Sequence, residues 1–545
     1  MIARARFARI PPLLVPILAG VLVLALLWST GHDANRGPIG FRLDDAWIHL
    51  VYGRGLLEDH ALSYNPGMPT SGSTSPLWAI VLAALHAMFA RGESLDALIA
   101  AVFVTGAIFQ GAAITVAVML ASEVTGSAVV GMAAGMLLAF ATPWAAAAFS
   151  GMEVTLTGLL LLLGVREAMR SEWGRAGLWL AGACLARPES AVVAVLIAIA
   201  ARKPRPVLRV LGPSIVAGAV IAIHHLAFTG SPLPATFWAK SNFSLAELPR
   251  RLGVAVAKML SSIPPWKTGI AWLVLLGYVP LFGAKLPARA AWPLAAGLAY
   301  LVANVALIDP VDPKAFYHLR YVLPCVPLLL VALAIGTHGL GAARTGVMSF
   351  APAALLVLLA TFDAARSIVP ESQHLHNDVR NINEVQRTIG LWLRDNLEPR
   401  TWIAATDAGA IRYVSQLPTI DVLGLNTPEM LRKDREKFVH EHPVQAIAVM
   451  PAWFEPEEDV RGLRVAFGAE TKDYTVTSNP KMALQLVLMA ANAADSVAAD
   501  TTGGDAAGGP AVGSADAERA TRRVRFRGFR NFEVELAKPP DRASP

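Results

Sequence analysis

Two adjacent carboxylates, Asp44 and Asp45, stand in the stretch Phe41-Arg-Leu-Asp-Asp-Ala-Trp-Ile-His49, just after the first apolar segment of a largely apolar chain. Ionisable groups at a membrane edge are costly to desolvate unless they are paired or in use, so they point to chemistry. Neighbouring carboxylates repel, and repulsion with partial burial raises at least one proton affinity toward that of a useful general base. The plainer alternative is a helix N-cap followed by a first-turn acid, both favoured by the helix dipole. On a helix, Asp45 and His49 share a face at i, i+4.

Other chemistry-bearing residues are scattered along the chain. Ser63-Tyr-Asn-Pro-Gly67 and Thr70-Ser-Gly-Ser-Thr-Ser-Pro76 form a turn-rich polar stretch before Trp78. It is either a connecting loop or a sugar-contacting surface in which Tyr64 offers a ring and Asn65 hydrogen bonds. Glu153 and Glu189 lie at the ends of apolar segments with Arg187 close by, so they either pair with an arginine or line a cavity. Lys240, His318 and Arg320 are cations that serve as interfacial anchors or hold an anionic leaving group. Trp238, Tyr317 and Tyr321 fit an aromatic belt. Asp407, Arg412 and Asp421 stand beside buried strands, where structural hydrogen bonding is the expected role. Cys184 and Cys325 sit in apolar segments and read as small core residues, not as a disulfide framework.

These residues need a scaffold, and composition names its class. The chain has 545 residues, 54% hydrophobic and 16% charged, with a mean hydropathy of +0.47, as in polytopic membrane proteins. Its net charge is +6, without a basic stripe interleaved with aromatics, so nucleic acid is excluded as a partner. The run ending at Trp28 is long enough to span a bilayer, which takes about 20 apolar residues, and reads as a retained first helix. Further apolar segments fall near 95–120, 128–148, 154–166, 176–187, 190–201, 210–228, 268–284, 290–308, 321–336 and 346–363. Basic loops at Arg4/Arg6/Arg9, Arg166/Arg170/Arg175, Arg202–Arg209, Lys285–Arg289 and Arg344 are all cytoplasmic if Pro76–Ala90 lies along the outer face. A second condition is that 176–187 and 190–201 form a hairpin of short helices turning at Arg187-Pro-Glu189 and lining a protein cavity. The polar motifs then share the outer side, and about eleven membrane helices are expected.

A transmembrane domain over 1–363, with its first outer loop at 31–94, is thus followed by a change of composition at 364. Helical patterning over Asn381–Leu397, strands near Trp402–Ala405, Thr419–Leu423 and Gln445–Met450, and a helix over Pro428–His440 predict an extracytoplasmic α/β domain over 364–493. Residues 494–519 have a linker's composition, and within the basic tail 520–545 the stretch from Arg522 to Ala537 alternates like a strand.

The motifs, taken in order, resemble polyprenyl-phosphate-dependent glycosyltransferases of the GT-C superfamily, most of all the terminal arabinofuranosyltransferases that use decaprenyl-phosphate arabinose. The likeness runs through Asp44-Asp-Ala46, Leu62-x-Tyr-Asn-Pro-Gly67, Gly72-x-Thr-Ser-Pro-Leu-Trp78, Ser150-Gly-Met-Glu153, Leu185-Ala-Arg-Pro-Glu189, Gly230-x-x-Leu-Pro-x-Thr-x-x-Ala-Lys240 and Arg320-Tyr-x-Leu-Pro324. It continues through Asp407-x-Gly-Ala-Ile-x-Tyr413 and Leu417-Pro-Thr-Ile-Asp421, covering roughly residues 10–430. The chain departs from the pattern at Gly67-Met-Pro69, and its tail beyond Lys481 has no counterpart.

The resemblance implies a GT-C-like fold and a catalytic carboxylate at Asp44, with Asp45 second. The expected reaction is inverting transfer from a polyprenyl-phosphate sugar to a glycan, lipid or protein acceptor of the cell envelope. It is expected on the outer face of the bacterial cytoplasmic membrane. Lys240, His318 and Arg320 are candidates for the donor phosphate; Glu153, Arg187, Glu189, Tyr64 and Asn65 are candidates for the cavity. No sequence signal fixes a metal, though Glu153, Arg187 and Glu189 are also the place for a divalent cation. A transporter or lipid-carrier flippase is the competing class, but it would place its charges near the bilayer midplane with a repeat between halves. A non-catalytic assembly protein is a further rival.

Overall fold

Long apolar runs become helices here, some of them through an internal proline such as Pro16 or Pro213, and a left-handed glycine ends one at Gly230. The computed structural model describes residues 11–30, 39–89, 95–240, 243–262, 288–310, 319–341, 346–433, 435–451, 454–456, 463–471, 483–490, 522–528 and 532–536. The expected apolar segment at 268–284, the linker 494–519 and His318 lie outside them.

In chain order the first helices are α1 Pro11–Ser29, α2 Asp44–Glu58, α3 Pro76–Phe89, α4 Leu95–Thr125, α5 Ala128–Phe140 and α6 Thr142–Ala146. Next come α7 Val154–Met169, α8 Trp173–Ala186, α9 Ala191–Ala201, α10 Pro204–Thr229, α11 Ala235–Lys240 and α12 Leu248–Ser262. The series ends with α13 Trp292–Leu307, α14 Val326–Gly341, α15 Ala351–Ile382, α16 Thr388–Asn396, α17 Ala410–Ser415 and α18 Arg435–Glu441.

The chain divides into two compact units. One comprises Met1–Arg42, Thr74–Pro232 and Lys240–His376; the other comprises Leu43–Ser73, Leu233–Ala239 and Asn377–Pro545. The first unit is the helical one. Among the described residues five helices are long and apolar enough to cross a membrane, six if a bent pair counts as one span. α14 is the inner helix, with 83% of its apolar window buried, whereas α10, at 6%, exposes Ile215, Val216, Val220 and Ile223 as a lipid-facing helix does. Close approach relies on small residues: a side chain at Gly135 of α5 would press on Pro16 of α1 and Val118 of α4.

The segment expected as one span at 128–148 is instead bent by 63° between α5 and α6. Pro143 lacks the N–H that would continue the α5 ladder, and its ring would clash with the carbonyl four residues back, so α5 stops at Phe140 and the helix restarts at Thr142 with Pro143 in its first turn. The predicted break between 176–187 and 190–201 is present: α8 ends at Ala186, Arg187 is extended, and a 3-10 turn over Pro188–Ser190 leads into α9.

The second unit is built on a five-stranded sheet. Its strands are β3 Ile403–Ala405, β4 Thr419–Asp421, β5 Ala446–Val449, β7 Leu463–Glu470 and β8 Leu484–Ala490, ordered β4-β3-β5-β8-β7. β3 runs parallel to β4 and β5, and β8 is antiparallel to β5 and β7. Alternation places Ile403 and Ala405 in one core with Val385, Ile389 and Leu393, and Ala404 in the other with Ile420 and Ile447. A hairpin, β1 Ser63–Asn65 with β2 Met68–Pro69, precedes the sheet in the chain. A second antiparallel sheet pairs β6 Phe454–Pro456, β9 Arg522–Gly528 and β10 Phe532–Leu536 in the order β10-β9-β6.

The expected boundary at 364 falls inside α15. Helix continues through a π turn at Asn383–Arg387 into α16, and the units divide after His376. Composition changes where the surroundings of the helix change, and helical propensity carries the backbone on past that point. Leu43–Ser73, expected with the transmembrane domain, groups with the sheet-bearing unit.

Candidate functional site

The acids of the second unit come together at the start of two helices. Leu43, extended at φ −134° and ψ 136°, is the N-cap of α2 and makes no side-chain cap. Asp44 and Asp45 occupy the first turn, so neither caps its own helix. Asp44 instead reaches α17: the amides of Gly409 and Ala410 donate to its Oδ2 and Oδ1, both at 2.7 Å. A side chain at Gly409 would run into the Asp44 backbone carbonyl, with Cγ only 2.7 Å away, which explains glycine there.

Asp407 lies two residues before Gly409, and its Oδ2 accepts from Gln386 Nε2 at 2.7 Å. Asp44, Asp45 and Asp407 are all only partly buried. Burial, then the charge of Asp407, with Asp45 adding less, pushes Asp44 well above the usual carboxylate range, against the pull of the two amides. Burial likewise pushes Asp407 up to about 6; the Gln386 hydrogen bond opposes this, and Asp45 and Asp421 add to it.

The surrounding contacts fasten α2 and the β1–β2 hairpin to the sheet. Tyr64 donates its hydroxyl to the Ala408 carbonyl at 2.5 Å. Asn65 donates to the Thr419 carbonyl at 3.0 Å and accepts from the Thr419 amide at 2.8 Å, as a strand neighbour would. Both residues are buried, and their polar groups are engaged with the backbone. Tyr52 donates to Asn426 Oδ1 at 3.0 Å, and Arg54 lies over the Tyr413 ring at 4.8 Å while donating to its carbonyl. Arg412 donates to the Tyr64 carbonyl at 3.1 Å. Asp421 accepts from the amides of Leu423 and Asn426 and from Asn426 Nδ2, so its role is to hold a turn.

The first unit gathers a different set. Glu153 precedes α7, and its Oε1 lies 2.6 Å from Arg187 Nε at the α8–α9 break, with both side chains almost fully buried. The guanidinium groups of Arg187 and Arg320 each lie 5.1 Å from the Tyr321 ring centre. Tyr321, expected in an interfacial belt, is thus buried between chemistry-bearing partners. Leu319, just before Arg320, has φ +55°, a left-handed conformation that costs a leucine about 1–2 kcal/mol. Three buried atoms near Arg187 lack a hydrogen-bond partner: Glu189 Oε2, Ser190 Oγ and the Tyr300 hydroxyl. Unsatisfied polar atoms beside a buried ion pair suit a polar ligand.

Lys240 ends α11, half-buried, where the chain passes from the second unit back to the first. Among the described residues no group of three or more His, Cys, Asp or Glu comes together as a metal ion requires. Arg187 against Glu153 also makes that cluster a poor cation cage, since its guanidinium already neutralises the carboxylate. Sequence reasoning did not single out Gln386; a π turn shows in no residue pattern.

Residues 377–499 match a family model described as a domain of unknown function (DUF8728). No curated protein matches the chain. Among solved structures, ArnT from Cupriavidus metallidurans bound to undecaprenyl phosphate aligns with a TM-score of 0.53 at 12% identity, covering 87% of this chain and 97% of that one. Its apo state aligns with a TM-score of 0.52 at 13% identity over the same shares. The archaeal oligosaccharyltransferase AglB from Archaeoglobus fulgidus, in complex with an inhibitory peptide and a dolichol-phosphate, gives 0.49 at 12% identity, over 80% of this chain and 69% of that one. The fold is GT-C-like: a multi-pass helical membrane protein carrying a C-terminal sheet domain.

Proposed function

We propose that this protein is a membrane glycosyltransferase that moves a sugar from a polyprenyl phosphate to a cell-envelope acceptor, with a terminal arabinofuranosyltransferase as the nearest functional likeness. The ArnT structure that shares its fold holds a polyprenyl phosphate. The observation that carries the reading is Asp44: a carboxylate fixed by two main-chain amides and made proton-hungry by burial and a neighbouring acid. Each oxygen accepts one amide and keeps a second lone pair for an acceptor hydroxyl.

In this reading Asp44 takes the proton from the acceptor hydroxyl as its oxygen attacks the anomeric carbon. The bond from that carbon to the phosphate oxygen breaks, and its electron pair leaves with the polyprenyl phosphate. Attack opposite the leaving group inverts the anomeric centre. The phosphate needs no proton at neutral pH but gains from positive charge, for which Arg320, Lys240 and His318 are the candidates. Arg187 is engaged with Glu153 and Tyr321, and with Glu189 it would shape the cavity. The site would face the outside of the bacterial cytoplasmic membrane.

The test is release of free polyprenyl phosphate from labelled lipid-linked sugars by the purified protein with envelope glycan present. Release that depends on the acceptor supports the reading, and a panel of sugars identifies the donor. Movement of intact lipid-linked sugar across vesicles without release would establish the flippase instead.

A further inference from the structure

We propose that Asp407, oriented by Gln386, is the positioning residue for Asp44, acting as the partner carboxylate that keeps the base strong while touching neither substrate. This rests on the reading of Asp44 as the general base.

The geometry singles out Asp407 from the other acids of its unit. Asp421 has its carboxylate filled by amides of its own turn, a structural arrangement. Asp407 instead accepts from one side chain, and that donor comes from the π turn over Asn383–Arg387. An extra residue in a helix re-aims the side chains around it and recurs at functional sites. Gln386 is fully buried, and its Oε1 has no partner, so its place is set by Asp407 and not by a saturated network. Asp407, Ala408, Gly409 and Ala410 form one short run: its amides hold Asp44, and its first side chain is the acid that bears on Asp44.

Among the described residues, other acids bear on the pair. Asp45 bears on both acids from the same turn as Asp44, and Asp421 bears on Asp407. Tyr64, its proton held more tightly by burial, also feels Asp44. Arg412 bears on Tyr64, whereas among the described residues the charges that bear on Asp44 and Asp407 themselves are carboxylates. A like charge beside an ionised carboxylate raises its proton affinity, so Asp407 strengthens Asp44 as a base, and Gln386 keeps Asp407 ionised to do so.

Transfer by the full-length protein, followed as a function of pH, tests this. Asp407→Asn keeps an acceptor for Gln386 and removes the charge. The acid limb of the rate profile should move about one pH unit lower. The plateau kcat should fall roughly threefold, with donor KM unchanged, because the base becomes weaker. Asp407→Glu should restore both, and Asp407→Ser should repeat the Asn result with a smaller side chain. An acid limb in its wild-type place in the folded Asn or Ser variant overturns the proposal. So does complete loss of transfer in a folded variant, which would make Asp407 the base itself, or failure of both neutral variants to fold. Asp44→Asn, run in parallel, separates the two claims: full activity there sinks the base assignment, whereas inactivity with an unmoved Asp407→Asn profile sinks only this inference.

Discussion

Two clusters, one in each unit, treat charge in opposite ways. In the helical unit Glu153 meets Arg187 at 2.6 Å, and each neutralises the other. In the sheet-bearing unit Asp44 stands with Asp407 and Asp45; two main-chain amides hold Asp44, and one glutamine holds Asp407. An ion pair lowers the cost of burial and is consistent with scaffold alone. Gathered like charges raise that cost, and a fold that keeps them sacrifices stability for reactivity.

The comparison breaks most readily at Asp44. Asp44→Asn should lower transfer by about a thousandfold or more, measured as polyprenyl phosphate released, while the purified protein keeps its helical circular dichroism. Next in size is the ion pair. Glu153→Gln strands the Arg187 cation, which should cost about 3–5 kcal/mol in unfolding. Replacing both partners, Glu153→Leu with Arg187→Met, should recover most of that loss. If the single change is as mild as the double, the pair is not structural.

Gly409→Ala probes the anchor without touching a charge. Its methyl group would meet the Asp44 backbone and carboxylate, so transfer should fall about tenfold to a hundredfold through misplacement of the base. The acid limb of the pH profile should stay near its wild-type position. The smallest effect concerns stability. Asp407 holds its proton more tightly in the folded protein, up to about 6, than in the unfolded chain. Between pH 4 and 6 the folded state therefore binds more protons, and stability falls as pH rises through that window. Asp407→Asn removes this penalty and should raise the melting temperature above pH 6 by about 2 °C, while activity drops. A lower melting temperature would place Asp407 with the structural acids.

Much of this arrangement is legible in the residues. Asp44 and Asp45 are conspicuous in an apolar chain, and Arg187-Pro-Glu189 announces a break between two short apolar runs. The parallel strands β3, β4 and β5 follow from short apolar runs bounded by Pro, Gly and polar residues. What stays hidden is long-range. Asp44 meets Gly409, Asn65 meets Thr419 and Tyr52 meets Asn426 across more than 350 residues, and no local period encodes such pairings. Hydropathy marks 364 as a boundary because it reports surroundings, while the backbone there continues as one helix. The Thr142-Pro143 bend was readable from proline chemistry, yet the apolar run around it disguised it as a straight span.

The hold on Asp44 comes from main-chain N–H groups, and that has a consequence for anyone altering this protein. Every residue except proline supplies the same donor, so no side chain at 410 makes the contact, and what limits exchange there is the burial of Ala410. A search that swaps side chains one at a time would therefore register the close packing at Gly409 and miss the donors themselves. Backbone chemistry, such as an ester in place of the amide at 409 or 410, is the intervention that reaches it.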